Sequence, residues 1–197
     1  MIRKLPLIPT LIVAAAVAVM IALGVWQLRR AVEKDALLER FRAAQNLPPI
    51  SFPTGPIHED RLPLFRHATG LCLKPVAKRS TAGRNRAGET GYSQVIDCTT
   101  GAEGPGMSVE LGWSKNPNAA FNWPGGLVSG IIAPDSRTRM RLVAASSPAG
   151  LEPAAPPSIE QIPNNHRSYA IQWFLFALIA AVIYVLALRG KLKKPRP

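Results

Sequence analysis

A chain of 197 residues that is 47% hydrophobic and carries a formal net charge of +12 has room for one modest domain plus accessories. All 12 acidic residues and 17 of the 24 basic ones fall between Arg29 and Arg167. More than half of the net charge thus sits at the two ends, where membrane topology accounts for it, and the basic excess is no argument for nucleic-acid binding.

Residues 1–6 form a short tip with Arg3 and Lys4, and residues 7–28 carry no charged side chain. As a helix rising about 1.5 Å per residue, 7–28 covers about 30 Å of hydrocarbon. The competing reading is a cleaved signal peptide, because Ala16-Val17-Ala18 imitates a cleavage site. The apolar run continues to Trp26, past the length of a signal h-region, and favours an uncleaved anchor. Beyond it Leu28, Val32, Leu37, Leu38 and Phe41 recur at helical spacing among charges, predicting a helix that continues to about Asn46. Leu47-Pro48-Pro49 then ends it, since proline lacks an N–H and restricts its predecessor.

Residues 29–168 make the expected outer domain, with a β-rich part over 60–145. In Met107–Trp113 the odd positions are apolar and the even ones are Ser108, Glu110 and Gly112, the pattern of a half-buried strand. Phe65–Leu73 reads as a strand with Phe65, Thr69, Leu71 and Leu73 on one face. Tyr92–Cys98, Leu127–Ala133 and Arg139–Ala145 read as further strands between Gly, Pro and Asp turns. Lys74, Lys78, Arg79, Arg84 and Arg86 suggest a basic loop, either a solvated hairpin or a contact for anionic headgroups or an acidic partner. Cys72 and Cys98 admit three readings: a disulfide on the oxidising side of a membrane, two buried thiols, or a metal site with His67. Residues 146–163 are proline-rich and suggest an extended tether.

Residues 169–188 form a second apolar stretch interrupted by Gln172, and the tail 189–197 carries Arg189, Lys191, Lys193, Lys194 and Arg196. Short basic flanks stay in the cytoplasm, whereas loops beyond about 60 residues cross regardless of charge. Both ends are therefore expected inside. The predicted fold is an α+β membrane protein, two transmembrane helices flanking a small, mainly antiparallel β domain in the periplasm.

The approach to the second span, Asn164 to Phe174, holds the candidate site. His166, Tyr169 and Trp173 are spaced i, i+3, i+7 and share a helical face. Gln172, a polar side chain inside an apolar run, is expected to face the other helix or a ligand. The plainer alternative is an interfacial cap, with Asn164 or Asn165 taking the first backbone donors and Tyr169 and Trp173 as anchors. Gly24 to Arg30 leaves the first span at the same height, so Trp26 and Gln27 meet that segment. Gly24 permits close approach, and Arg29 or Arg30 can reach an anionic group. The chain has no P-loop, Gly-x-Ser-x-Gly, His-Glu-x-x-His or Cys-x-x-Cys motif, and no enzymatic activity is expected.

Gly24-Val25-Trp26-Gln27-Leu28-Arg29-Arg30 with Lys34, and Asn165-His166-Arg167-Ser168-Tyr169-Ala170-Ile171-Gln172-Trp173-Phe174, resemble the two end motifs of the Surfeit locus protein 1 family. Phe65-Arg66-His67-Ala68-Thr69-Gly70 and Gly112-Trp113 with Pro117 resemble its internal landmarks. Leu111 stands where an arginine often precedes Gly-Trp, and Cys72 and Cys98 belong to no motif of the family. The resemblance implies a bacterial inner-membrane factor that helps assemble haem-copper cytochrome c oxidase, binding haem a between the outer ends of its helices for delivery to the largest oxidase subunit. It implies His166 as the haem ligand. We add Trp26 and Trp173 as rings against the macrocycle, Tyr169, Gln172 and Gln27 beside it, and Arg29 or Arg30 on the propionates. The haem a synthesis machinery and anionic lipid are further expected partners. The alternative is a structural partner that stabilises an oxidase intermediate without haem.

Overall fold

The computed structural model describes residues 6–101 and 105–193. Arg3, Lys4, Lys194 and Arg196 of the expected basic flanks lie outside it, as do the side chains of Lys191 and Lys193. The chain divides into two units, Met1–Leu37 with Pro163–Pro197, and Leu38–Ile162.

Two long helices dominate the first unit. Helix α1 runs Leu7–Gln45 without a break and stops just before Pro48-Pro49, and α2 runs His166–Lys193. Each contains an apolar window long enough to cross a membrane, and only 6% of each window is buried. A core helix of a water-soluble protein would bury such a window, so these are candidate membrane spans. The partly and fully buried positions of the apolar stretches include a seam stepped mostly by three and four residues: Thr10, Val13, Val17, Met20, Gly24, Gln27 and Ala31 on α1, and His166, Ala170, Trp173, Ala177, Ala181 and Tyr184 on α2. Steps averaging 3.5 residues keep two helices in contact along their length, as in a coiled coil. Gln27 meets His166 and Thr10 meets Tyr184, so the helices are antiparallel.

The second unit is a seven-stranded sheet: β1 (Ile50–Ser51), β2 (His67–Cys72), β3 (Lys74–Arg84), β4 (Thr90–Thr99), β5 (Pro105–Ser114), β6 (Gly126–Asp135) and β7 (Arg139–Ala144). The order is β1-β2-β6-β7-β5-β4-β3. Four pairings are antiparallel, as expected for most of the sheet, while β1–β2 and β5–β7 are parallel. Cys72 of β2 and Cys98 of β4 form a disulfide although β6, β7 and β5 lie between their strands. The sheet is therefore rolled until those strands meet, and Leu73 N–H donates to the Thr99 carbonyl at 2.9 Å. A Cβ added at Gly70 would sit 2.3 Å from Met107 Sδ, so at this glycine β2 runs close against the Met107 side chain of β5 across the interior. Phe52, Ala68, Ile96, Met107, Val109, Leu111, Val128, Ile132 and Leu142 fill that interior.

Four sequence expectations are corrected here. Met107–Trp113 is buried on both faces rather than one, because β5 lies between β4 and β7 and its polar face is also covered. The inward face of β2 carries Ala68 and Cys72, while Leu71 and Leu73 are about half exposed. Phe65, counted in phase with that strand, stands before it at φ 62° and sends its ring to Phe41, Leu38 and Ile159. The basic segment from Lys74 is not a loop: residues 74–84 are the edge strand β3, and cations are what edge strands commonly carry. The proline-rich stretch after Ser146 is not a free tether. Trp113 and Glu152 exchange backbone hydrogen bonds of 2.7 and 2.9 Å, and Ala154 and Ile159 are buried.

The covered face of the sheet holds a buried charge network. Arg79 of β3 reaches Asp135 at 2.8 Å, and Arg141 of β7 reaches Glu110 at 2.6 Å and Asp135 at 3.3 Å. Ser108 donates to Asp97, and Thr138 donates to Asp135. Burial acts to raise the Asp135 pKa, but the Thr138 and Arg79 hydrogen bonds outweigh it and hold the carboxyl at about 2. Buried carboxylates at this density persist only when paired in this way.

Candidate functional site

The start of α2 lies against α1 in the first unit. Gly24 is buried, and a Cβ built on it would meet Phe174 Cε1 at 2.6 Å. Ala31 and Ala170 are almost fully buried in the same seam. Small side chains let the two backbones approach, which is how apolar helices gain contact where lipid offers no hydrophobic drive.

Within this seam two polar side chains meet. His166 Nδ1 lies 2.8 Å from Gln27 Oε1. With Gln27 Oε1 as the acceptor, Nδ1 donates, and in the neutral ring the lone pair then lies on Nε2. A hydrogen bond of this kind fixes both tautomer and ring direction, the usual preparation of an imidazole that ligates a metal. One turn out, Asp35 accepts from Asn164 Nδ2 and from Arg167, both at 2.7 Å. Asn164 thus ties α2 to α1 instead of capping the helix start with its side chain.

The remaining sequence-predicted residues surround this pair without joining it. Trp26 and Tyr169 are about half exposed, Arg29 is exposed, and Trp173 is partly buried with its ring edge-on to Phe176 at 6.2 Å. Arg30 pairs with Glu33 at 2.7 Å on the helix surface. Winding two antiparallel right-handed helices about the observed seam puts Trp26 and Arg30 on the same flank as Tyr169, Trp173 and Phe176.

One half of an expectation is corrected, that Gln172 faces the other helix; a ligand as its partner is left untouched. Gln172 is exposed and turned away from α1, because the seam takes residues 170, 173 and 177 and leaves 172 outside. Between the helix ends Gly24 lies against the Phe174 ring, and Ala170 is fully buried in the same seam. The disulfide also removes the reading of Cys72, Cys98 and His67 as a metal set, both sulfurs being consumed and His67 exposed.

Asp35 and Phe174's contact with Gly24 were not singled out from sequence. The three-and-four stepping of Thr10, Val13, Val17, Met20, Gly24, Gln27 and Ala31 is the signal that finds the seam.

The family model for the SURF1 family matches residues 14–178, a span that contains both helix ends and the whole sheet. The chain belongs to the SURF1 family. Members of the SURF1 family are associated with cytochrome c oxidase assembly and act as membrane assembly factors rather than catalysts. A search of curated proteins finds no match. The SURF1 family match joins Gln27 and His166, 139 residues apart in sequence, within one homologous span.

Proposed function

We propose that this protein is a bacterial inner-membrane assembly factor that carries haem a as cargo to the largest subunit of a haem-copper oxidase, with residues 29–168 in the periplasm. The observation that supports this reading is the Gln27–His166 hydrogen bond, which in the neutral ring leaves one imidazole nitrogen with its lone pair unused by Gln27. Haem iron accepts an axial imidazole, and the residues present fit a single such bond. Trp26, Tyr169 and Trp173 supply aromatic surface on one flank, and Arg29, without an ion pair among the described residues, suits a propionate. Gln172 faces outward, where a partner's helix or the cargo can take its amide. Handover from the haem a synthesis machinery and seating on anionic lipid belong to the same proposal.

The alternative is an assembly partner that holds an oxidase intermediate and binds no haem. The closed contact of Gly24 with Phe174 is the observation that favours it. A strain lacking the chain, complemented with wild type or His166→Ala, separates the two. The cargo reading predicts oxidase that accumulates with its haem a content down at least tenfold in the variant. Full haem content with His166→Ala would leave the structural-partner reading.

A further inference from the structure

Strand β3 ends the sheet, and its backbone shows which of its groups are free. Ala155 N–H donates to the Arg84 carbonyl at 2.8 Å and Arg86 N–H to Pro153, while Asn85 N–H turns the other way to Glu89. Residues 84 and 86 therefore point their N–H and C=O away from β4. Backbone direction alternates along a strand, and no register shift falls between Ala77 and Arg84. Lys78, Ser80 and Ala82 must then also point outward. Among the described residues none of their backbone groups meets another strand, and all three residues are exposed.

The chain has begun to cover this edge and stopped. Pro153–Ala155 pairs antiparallel with its end at Arg84–Arg86, and Pro156-Pro157 then prevents further pairing. The open length starts at Lys78, is preceded by exposed Lys74 and is followed by exposed Arg84, with no carboxylate on β3. Lys78 Nζ is turned to the Ala119 carbonyl and the Phe121 ring, 4.3 Å from its centroid, so it lies over the sheet and leaves the backbone edge clear.

We propose that the β3 edge at Lys78–Ala82 binds an extended acidic segment of a partner protein by strand addition. Main-chain hydrogen bonds supply affinity in this mode, and flanking cations select the charge of the added strand. A lipid headgroup would meet the cations but has no use for the free backbone donors.

The test uses the full-length protein in detergent and an end-blocked heptapeptide alternating glutamate and valine. Expected are saturable binding, at least tenfold weaker binding of the lysine-for-glutamate peptide, and slowed amide exchange at Lys78, Ser80 and Ala82 in the complex. Ser80→Pro removes an outward N–H that the ladder to β4 does not use, and is expected to weaken binding at least tenfold with the thermal midpoint nearly unchanged. Should Ser80→Pro disturb folding, the exchange pattern of the unsubstituted protein decides alone. Unchanged exchange on peptide addition would overturn the proposal, as would displacement of the peptide by phosphatidylglycerol vesicles with no protection at those amides.

Discussion

The helix pair and the rolled sheet handle polarity in opposite ways. In the pair, apolar side chains point outward and two interhelical hydrogen bonds, His166 to Gln27 and Thr10 to Tyr184, sit in a seam that includes the small residues Gly24, Ala31, Ala170 and Ala177. In the sheet, apolar side chains point inward, and a network of two arginines and three carboxylates lies largely buried under one face while a disulfide ties β2 to β4. Each arrangement suits a different solvent. Lipid gives no reward for burying leucine, so helices associate through close contact and a few polar bonds; water rewards burial, and the sheet can then support paired charges inside. A prepared imidazole is more sharply defined in the first setting, where few competing polar groups exist.

The comparison predicts substitutions whose effects stay within one unit. Asp135→Ala strands Arg79 and Arg141 without their shared carboxylate, and a loss of about 3–5 kcal/mol is expected for the sheet. Amide exchange should rise across β5 and leave α2 unchanged; equal rises in both would merge the two regions into one cooperative unit. Replacing Cys72 and Cys98 together by serine opens a loop closed over 26 residues and should cost about 3.5 kcal/mol in the chain-entropy model, read by denaturant midpoint.

On the helix side, Gly24→Val drives a side chain into Phe174 and should weaken the pair by about 1–3 kcal/mol. Gly190→Ala, which meets open space, serves as the matched control with no expected change. The smallest effect is that of acid. Asp135 is held at about 2, below its ordinary 3.8, so its contribution is complete above about pH 4 and fades as pH falls toward 2. Stability of the Asp135→Asn variant should lack this acid limb, and an identical limb would assign it to other carboxylates.

The two spans were legible because charge-free runs of that length have few other uses, and His166 with Gln27 was legible because both lie in motifs at helix ends. The strand β3 was not, since lysines, arginines and a glycine suggest a loop until the partner strand β4 is known to supply one full side of the ladder. The packed course of 146–162 was missed for a related reason: proline content marks an extended chain but does not say what the chain lies against. Gln172 was half legible: polarity inside an apolar run argues for a partner, either the other helix or a ligand, and its exposure removes only the first. Glu110 and Ser108 looked like a solvent face, and only the arrival of Arg141 and Asp97 from neighbouring strands reverses that.

The central claim is that Gln27 holds His166 with a nitrogen free for haem iron. Its most direct test is the visible spectrum of full-length protein purified in detergent from a host that makes haem a. Wild type is expected to show a haem band near one equivalent, His166→Ala at least tenfold less, and Gln27→Leu an intermediate amount from a ring no longer fixed in direction. A haem band of equal size in wild type and His166→Ala would contradict the account.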